Sequence, residues 1–235
     1  MFFPIVTVLY FLAPFKVRWF LLLVASCIFY MAFVPIYVLV LAATIIIDYF
    51  AAIQIEKAEG HTRRMWLLLS ILLTCLILFF FKYYDFFAWN VNEVAGLLHS
   101  DVTLSILHLM LPIGLSFHTF QSLSYVIEVY RGNQKAEHHF GIYALYVMFY
   151  PQLVAGPIER PQNLLHQFRE KHRFNYDEVT SGLRLMAWGL FKKSVIADRL
   201  AQFVSPIYDK PGNFDGGVLL VATLFFSFQI FCDFS

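Results

Sequence analysis

Apolar residues run through the chain in long blocks, and prolines and short charged clusters divide them. RWFLLLVASCIFYMAFVPIYVLVLAATIII and MWLLLSILLTCLILFFF approach or exceed the ~20 residues that cross a bilayer as a helix. The alternation of a membrane β-barrel is absent. The pattern predicts helices over about 1–13, 17–34, 35–54, 65–87, 104–130, 140–150, 178–200 and 216–234. It therefore predicts an all-α, polytopic membrane protein with about six to eight membrane helices, forming a single membrane domain over residues 1–235.

The basic residues order these helices. Lys16 and Arg18 follow the first, and Lys57, Arg63 and Arg64 fill the loop two crossings later, so the positive-inside rule makes both connections cytoplasmic. AWNVNEVAGLLHSDVT has no Lys or Arg and fits the outside. The next helix returns to Arg131 and Lys135, again inside, with the N-terminus outside. HFGIYALYVMFYPQLVAGPIERPQ then breaks the alternation. It is apolar, meets Pro151, Gly156, Pro157 and Pro161, and leads into Arg160, Arg169, Lys171 and Arg173. Both flanks are thus cytoplasmic, and the segment is expected to enter the membrane without crossing it. Such backbone is tolerated at membrane depth only where protein buries it or it lines a wet cavity. A bundle with an interior follows.

The stretch GLSFHTFQSLSYVIEVYRG is polar for a membrane helix. Gly114, His118, Gln121, Tyr125 and Glu128 recur at helical spacing and share one face, with Ser122 beside it; Leu115, Phe117, Leu123, Val126 and Ile127 lie opposite. A polar face turned to lipid would cost several kcal/mol, so it is expected to face the interior. There it either lines a functional cavity or stitches helices together by hydrogen bonds. His118 has no carboxylate three or four residues on, which favours packing or hydrogen bonding over direct chemistry. Asp48 and Tyr49 are read as closing an apolar run at a helix end near the interface, and GPIER as a helix break followed by the Glu159–Arg160 charge cluster.

Downstream, FNYDEVTSGLRLMAWGLFKKSVIADRL reads as an amphipathic helix. Leu183, Ala187, Leu190 and Ile196 lie broadly on one side, Arg184, Lys192, Lys193 and Arg199 prefer water or headgroups, and Asp177 or Thr180 could cap its start. Lys192 and Lys193 are headgroup anchors on this pattern, and would also suit an anionic ligand.

Composition agrees. Of 235 residues 60% are hydrophobic and 14% charged, where a soluble domain carries roughly 25% charged. The net charge of +1 and the lack of a basic stripe give no sign of nucleic-acid binding. Cys27, Cys75 and Cys232 are scattered in apolar segments, against a disulfide framework and against zinc. His138 and His139 flank a basic loop and read as interfacial, not as metal ligands. MFFPIVTVLYFLAP has no basic n-region or cleavage site and reads as a first membrane helix. Walker, GxSxG and HExxH signatures are missing. These residues alone leave an enzyme and a secondary transporter with broken helices and a polar midplane site both open.

LPIGLSFHTFQSLSYVIEVYRG, YPQLVAGPIERPQ and GLFKKSVIADRL, closed by FQIFCDFS, resemble in combination the membrane-bound O-acyltransferase family, in its bacterial alginate O-acetylation and teichoic acid D-alanylation branch. The resemblance runs from about residue 40 to the last residue. It implies a ring of helices around a passage in the bacterial inner membrane. There an acyl group, from acetyl-CoA or another acyl thioester, reaches a hydroxyl of an exported polysaccharide, directly or through a periplasmic partner of the serine-esterase type. No bound cofactor or metal is implied.

The resemblance also implies that the catalytic histidine lies beyond the CDFS motif. None of the eight histidines here takes that place, so no catalytic residue is assigned and this stretch by itself is expected to be inactive. Within it, the resemblance implies that His118, Gln121, Tyr125, Gln152, Glu159, Arg160, Gln229 and Asp233 shape the passage. Lys192 and Lys193 could attract the phosphates of the donor.

Overall fold

The computed structural model describes residues 2–98, 103–108, 111–153 and 156–234; these are helical or irregular, with no strand among them. Residues 99–102 of the expected outer loop, 109–110 of the fifth expected helix, Val154 and Ala155 of the expected re-entrant turn, and Met1 and Ser235 at the ends lie outside the described residues. The fold is all-α and falls into two compact units, residues 1–171 and 172–235, each described by itself.

In the first unit, α1 (Phe2–Leu12) and α2 (Phe15–Met31) are separated at Pro14, which lacks the N–H to continue a helix. Next come α3 (Tyr37–Lys57), α4 (Gly60–Leu97), α5 (Leu115–Arg131), α6 (Phe140–Met148) and the single turn α7 (Pro161–Leu164). By length and hydropathy α3 and α4 can each cross a membrane. The core gathers where α3, α5 and α6 meet: Leu41, Ile45, Ile55, Tyr125, Val126, Tyr143 and Tyr146 are all within 1% of full burial.

Two boundaries in this unit differ most from the sequence reading. The helix expected to end at 87 runs on to Leu97, and at 38 residues it is ~57 Å long, nearly twice the ~30 Å hydrocarbon thickness. The helix expected from 104 begins only at Leu115. Residues 103–108 instead run back along α4: Asn92 exchanges two hydrogen bonds with the backbone of Leu104 (2.7 and 2.9 Å), and Asp85 accepts from the Leu107 N–H (2.9 Å). Leu104 to Leu107 in extended form covers ~10 Å, the same distance as Asp85 to Asn92 in helical form. Pro112 disfavours helix at the residue before it, and Gly114 (φ +75°) turns the chain into α5 through a left-handed conformation.

Asp48 is the third correction. It is no helix end near an interface: α3 continues to Lys57, and Asp48 sits in its middle, fully buried. Its Oδ1 accepts hydrogen bonds from Ser70 (2.6 Å) and Thr74 (3.0 Å) of α4, with the Ser122 hydroxyl of α5 and Tyr143 of α6 beside it.

The second unit holds α8 (Tyr176–Phe191), a π-helical stretch Lys192–Ala197, α9 (Asp198–Asp209) and α10 (Gly216–Phe234). α10 is the third helix long and apolar enough to span. The expected helix over 178–200 thus starts two residues earlier, and Asn175, not Asp177 or Thr180, caps it by accepting from the Asp177 N–H (3.1 Å). α9 packs on α10 through Phe203 against Phe225 (ring centroids 5.3 Å) and Tyr208 against Phe226 (5.5 Å).

Candidate functional site: a polar helix face and a re-entrant turn

α6 is short because its sequence stops it. The chain leaves helical geometry at Phe149, ahead of Pro151. Its nine residues reach only ~13 Å, less than half a bilayer, and Ile142 through Met148 are all buried. A helix ending there leaves its last carbonyls without intrahelical donors, a cost of several kcal/mol each in hydrocarbon if nothing answers them.

The polar face of α5 answers them. Gln121 Nε2 donates to the Tyr146 carbonyl (2.8 Å), and Gln152 Nε2, from beyond the break, donates to the same oxygen (3.2 Å). His118 Nδ1 lies 3.1 Å from the Val147 carbonyl. A carbonyl only accepts, so this nitrogen carries the proton, and His118 is held as a hydrogen-bond donor. Gly114, the first member of the face, clears the way: a Cβ there would stand 2.4 Å from the Leu153 carbonyl.

The segment is also gripped where it enters and leaves. Tyr125 Oη accepts from the Glu137 N–H (2.7 Å), Tyr49 donates to the His138 carbonyl (2.6 Å), and Glu56 accepts from the Ala136 N–H (3.0 Å) and pairs with His138 (2.8 Å). On the return side Tyr146 donates to the Glu159 carbonyl (2.7 Å), and Gln162 donates to Glu128 (2.6 Å). Arg169 donates to both carboxylate oxygens of Glu137. Residues 137 and 169 therefore sit side by side with the whole excursion between them. A crossing would put them about 30 Å apart.

His118, Gln121, Tyr125, Gln152 and Glu159 are thus joined by hydrogen bonds through α6 and its two flanks. Gln152 and Glu159 also line a cavity of about 460 Å³ with Phe149, Pro157, Asn163 and Gln167. Arg160 is exposed beside it in sequence, one residue before α7. Glu56, Glu137 and Arg169 were not singled out from the sequence as site residues, because nothing in local spacing pairs residues 32 and 80 or more positions apart.

The remaining candidates lie in the second unit. Gln229 is half-buried on α10. Lys193 Nζ is 2.9 Å from both Asp198 and Asp233. Lys193 and Asp198 are five residues apart, which an α-helix does not bring together; the π-helical turn does. Hydrogen bonds to Asp233 first, and then to Asp198, raise the Lys193 pKa above its ordinary value. Lys193 is accordingly engaged by two carboxylates, while Lys192 is half-buried next to it. No group of three or more His, Cys, Asp and Glu suited to a metal occurs among the described residues.

The fold defines an all-α membrane protein, and its first unit carries a re-entrant segment held by α5. No protein-family model matches the chain. Curated relatives do. A peptidoglycan O-acetyltransferase of Helicobacter pylori is 34% identical over 91% of this chain and 45% of its own length. Probable alginate O-acetylases of Pseudomonas aeruginosa and Azotobacter vinelandii are 33% and 32% identical over all of this chain, and over 45% and 47% of their own lengths. The chain belongs to the membrane-bound O-acyltransferase family. It spans less than half the length of the relatives it matches.

Proposed function

We propose that the chain supplies part of the passage of a multi-pass bacterial inner-membrane O-acetyltransferase, which moves an acetyl group from a cytoplasmic thioester such as acetyl-CoA to hydroxyls of an exported polysaccharide. The observation that carries this reading is the likeness to relatives named for O-acetylating two different polymers, peptidoglycan and alginate. What the relatives share with this chain is then the delivery of the acyl group more than the recognition of one glycan.

In the reaction, the acceptor oxygen attacks the thioester carbonyl, its proton passes to a histidine acting as general base, and the thiolate leaves with the donor. The resemblance puts that histidine after the CDFS motif. His118 is not assigned that role: the resemblance puts the base elsewhere, and here its Nδ1–H holds the Val147 carbonyl at the end of α6. The residues here form wall: the re-entrant turn holds Gln152 and Glu159 on a cavity, and α5 holds the turn. A periplasmic partner of the serine-esterase type would take the acetyl group onward where transfer is not direct. Lys192 and Lys193 would serve the donor phosphates only if Asp198 and Asp233 yielded Lys193.

The test is acetyl transfer by the intact protein, correctly inserted and with its partner present. Radiolabel from acetyl-CoA is expected in an extracytoplasmic polysaccharide or on a partner serine. Movement of a solute through proteoliposomes without covalent acylation would replace this reading with the transporter.

A further inference from the structure

The two adjacent arginines at the start of α4 behave differently. Arg63 turns inward and donates to the Val129 and Tyr130 carbonyls (3.1 and 2.8 Å), answering the C-terminal end of α5. Arg64 is exposed, and neither it nor His61 has a hydrogen bond or ion pair among the described residues. Both line an open groove of about 640 Å³ on the outward side of α4, continued by Met65, Leu68, Leu69 and Leu72.

The groove has a charged end and an apolar length. Arg64, Leu68 and Leu72 succeed one another at i, i+4 on a single face, and Leu76 (57% exposed) extends the column. From Arg64 to Leu76 the helix rises ~18 Å, close to the depth of one leaflet's hydrocarbon, half of ~30 Å. The neighbouring charge is mainly positive: Lys57 ends α3, and of the two nearby glutamates Glu56 is bonded to Ala136 and His138; Glu59 is the other. A guanidinium and an imidazole above a leaflet-deep aliphatic column fit an amphiphile with an anionic head and a long chain. Basic sites at the membrane surface select such headgroups.

We propose that this groove binds one anionic glycerophospholipid, its phosphate on Arg64 and His61 and an acyl chain along Leu68 and Leu72. The site is separate from the re-entrant turn, and it stands whether or not the acyl-transfer reading does.

Native mass spectrometry of the full chain in maltoside micelles tests it, with palmitoyl-oleoyl phosphatidylglycerol or the phosphatidylcholine of the same chains added at equal concentration. The wild type is expected to retain one phosphatidylglycerol about fivefold more than phosphatidylcholine, on the order of one surface cation's contribution. Arg64→Gln is expected to abolish that preference, and Leu72→Trp, which fills the groove, to lower retention of both lipids. Equal retention of the two lipids by the wild type would overturn the proposal. So would unchanged selectivity in Arg64→Gln, unchanged retention in Leu72→Trp, or a second copy of the chain in place of the lipid adduct.

Discussion

Glu137 and Arg169, 32 residues apart, form a two-pronged ion pair that closes the neck of the re-entrant segment. The Glu137 side chain is 8% exposed and that of Arg169 55%. The pair is therefore asymmetric: losing the arginine strands a buried carboxylate, whereas losing the glutamate leaves a cation that water can reach. Arg169→Gln is expected to cost about 1–3 kcal/mol, and more than Glu137→Gln. Together the two changes should cost less than the sum of the singles. Thermal unfolding of the four proteins in one detergent checks this cycle.

Gln121 and Gln152 donate to one carbonyl, that of Tyr146. Either alone still answers it, so Gln121→Leu or Gln152→Leu should cost about 1 kcal/mol. The double substitution leaves a buried carbonyl without either amide and should exceed the sum. On the proposed function, both singles are expected to retain transfer in the full-length protein and the double to lose most of it, read as acetyl incorporation at matched expression.

Gly114→Ala combines two penalties. Its φ of +75° is unfavourable for any residue with a Cβ, and that Cβ would meet the Leu153 carbonyl at 2.4 Å. A loss of about 1–3 kcal/mol is expected from the backbone conformation alone, with the collision added. A melting temperature within a degree of wild type would show that the turn does not approach α5 as described.

Hydropathy made the helices legible because bilayer-length apolar runs have few alternatives. Charge made the turn legible, since basic flanks on both sides of HFGIYALYVMFYPQLVAGPIERPQ admit an even number of crossings or none. The polar face of α5 could be read from spacing, but its partners could not. Gln121 and His118 answer carbonyls 25 and 29 residues away, fixed only by how α6 docks. The buried place of Asp48 is not legible for a related reason: Ser70 and Thr74 lie 22 and 26 positions away and meet it only where α4 docks on α3.

Asp48→Asn keeps an oxygen for Ser70 and Thr74 and is expected to fold normally. Asp48→Leu removes the shared acceptor between α3 and α4; the hydroxyls can fall back on their own helix carbonyls, so about 1–3 kcal/mol is expected. Denaturation of both variants in parallel separates the two cases.

The re-entrant path itself is tested most directly by side-specific labelling of the inserted protein. Single cysteines at Lys135, Lys171 and Asn92, with Cys27, Cys75 and Cys232 replaced by serine, would meet a membrane-impermeant maleimide from one face at a time. Positions 135 and 171 are predicted to label from the same face, the cytoplasmic one, and position 92 from the other. Labelling of 135 and 171 from opposite faces would mean that the chain crosses the membrane between them, and would contradict the account.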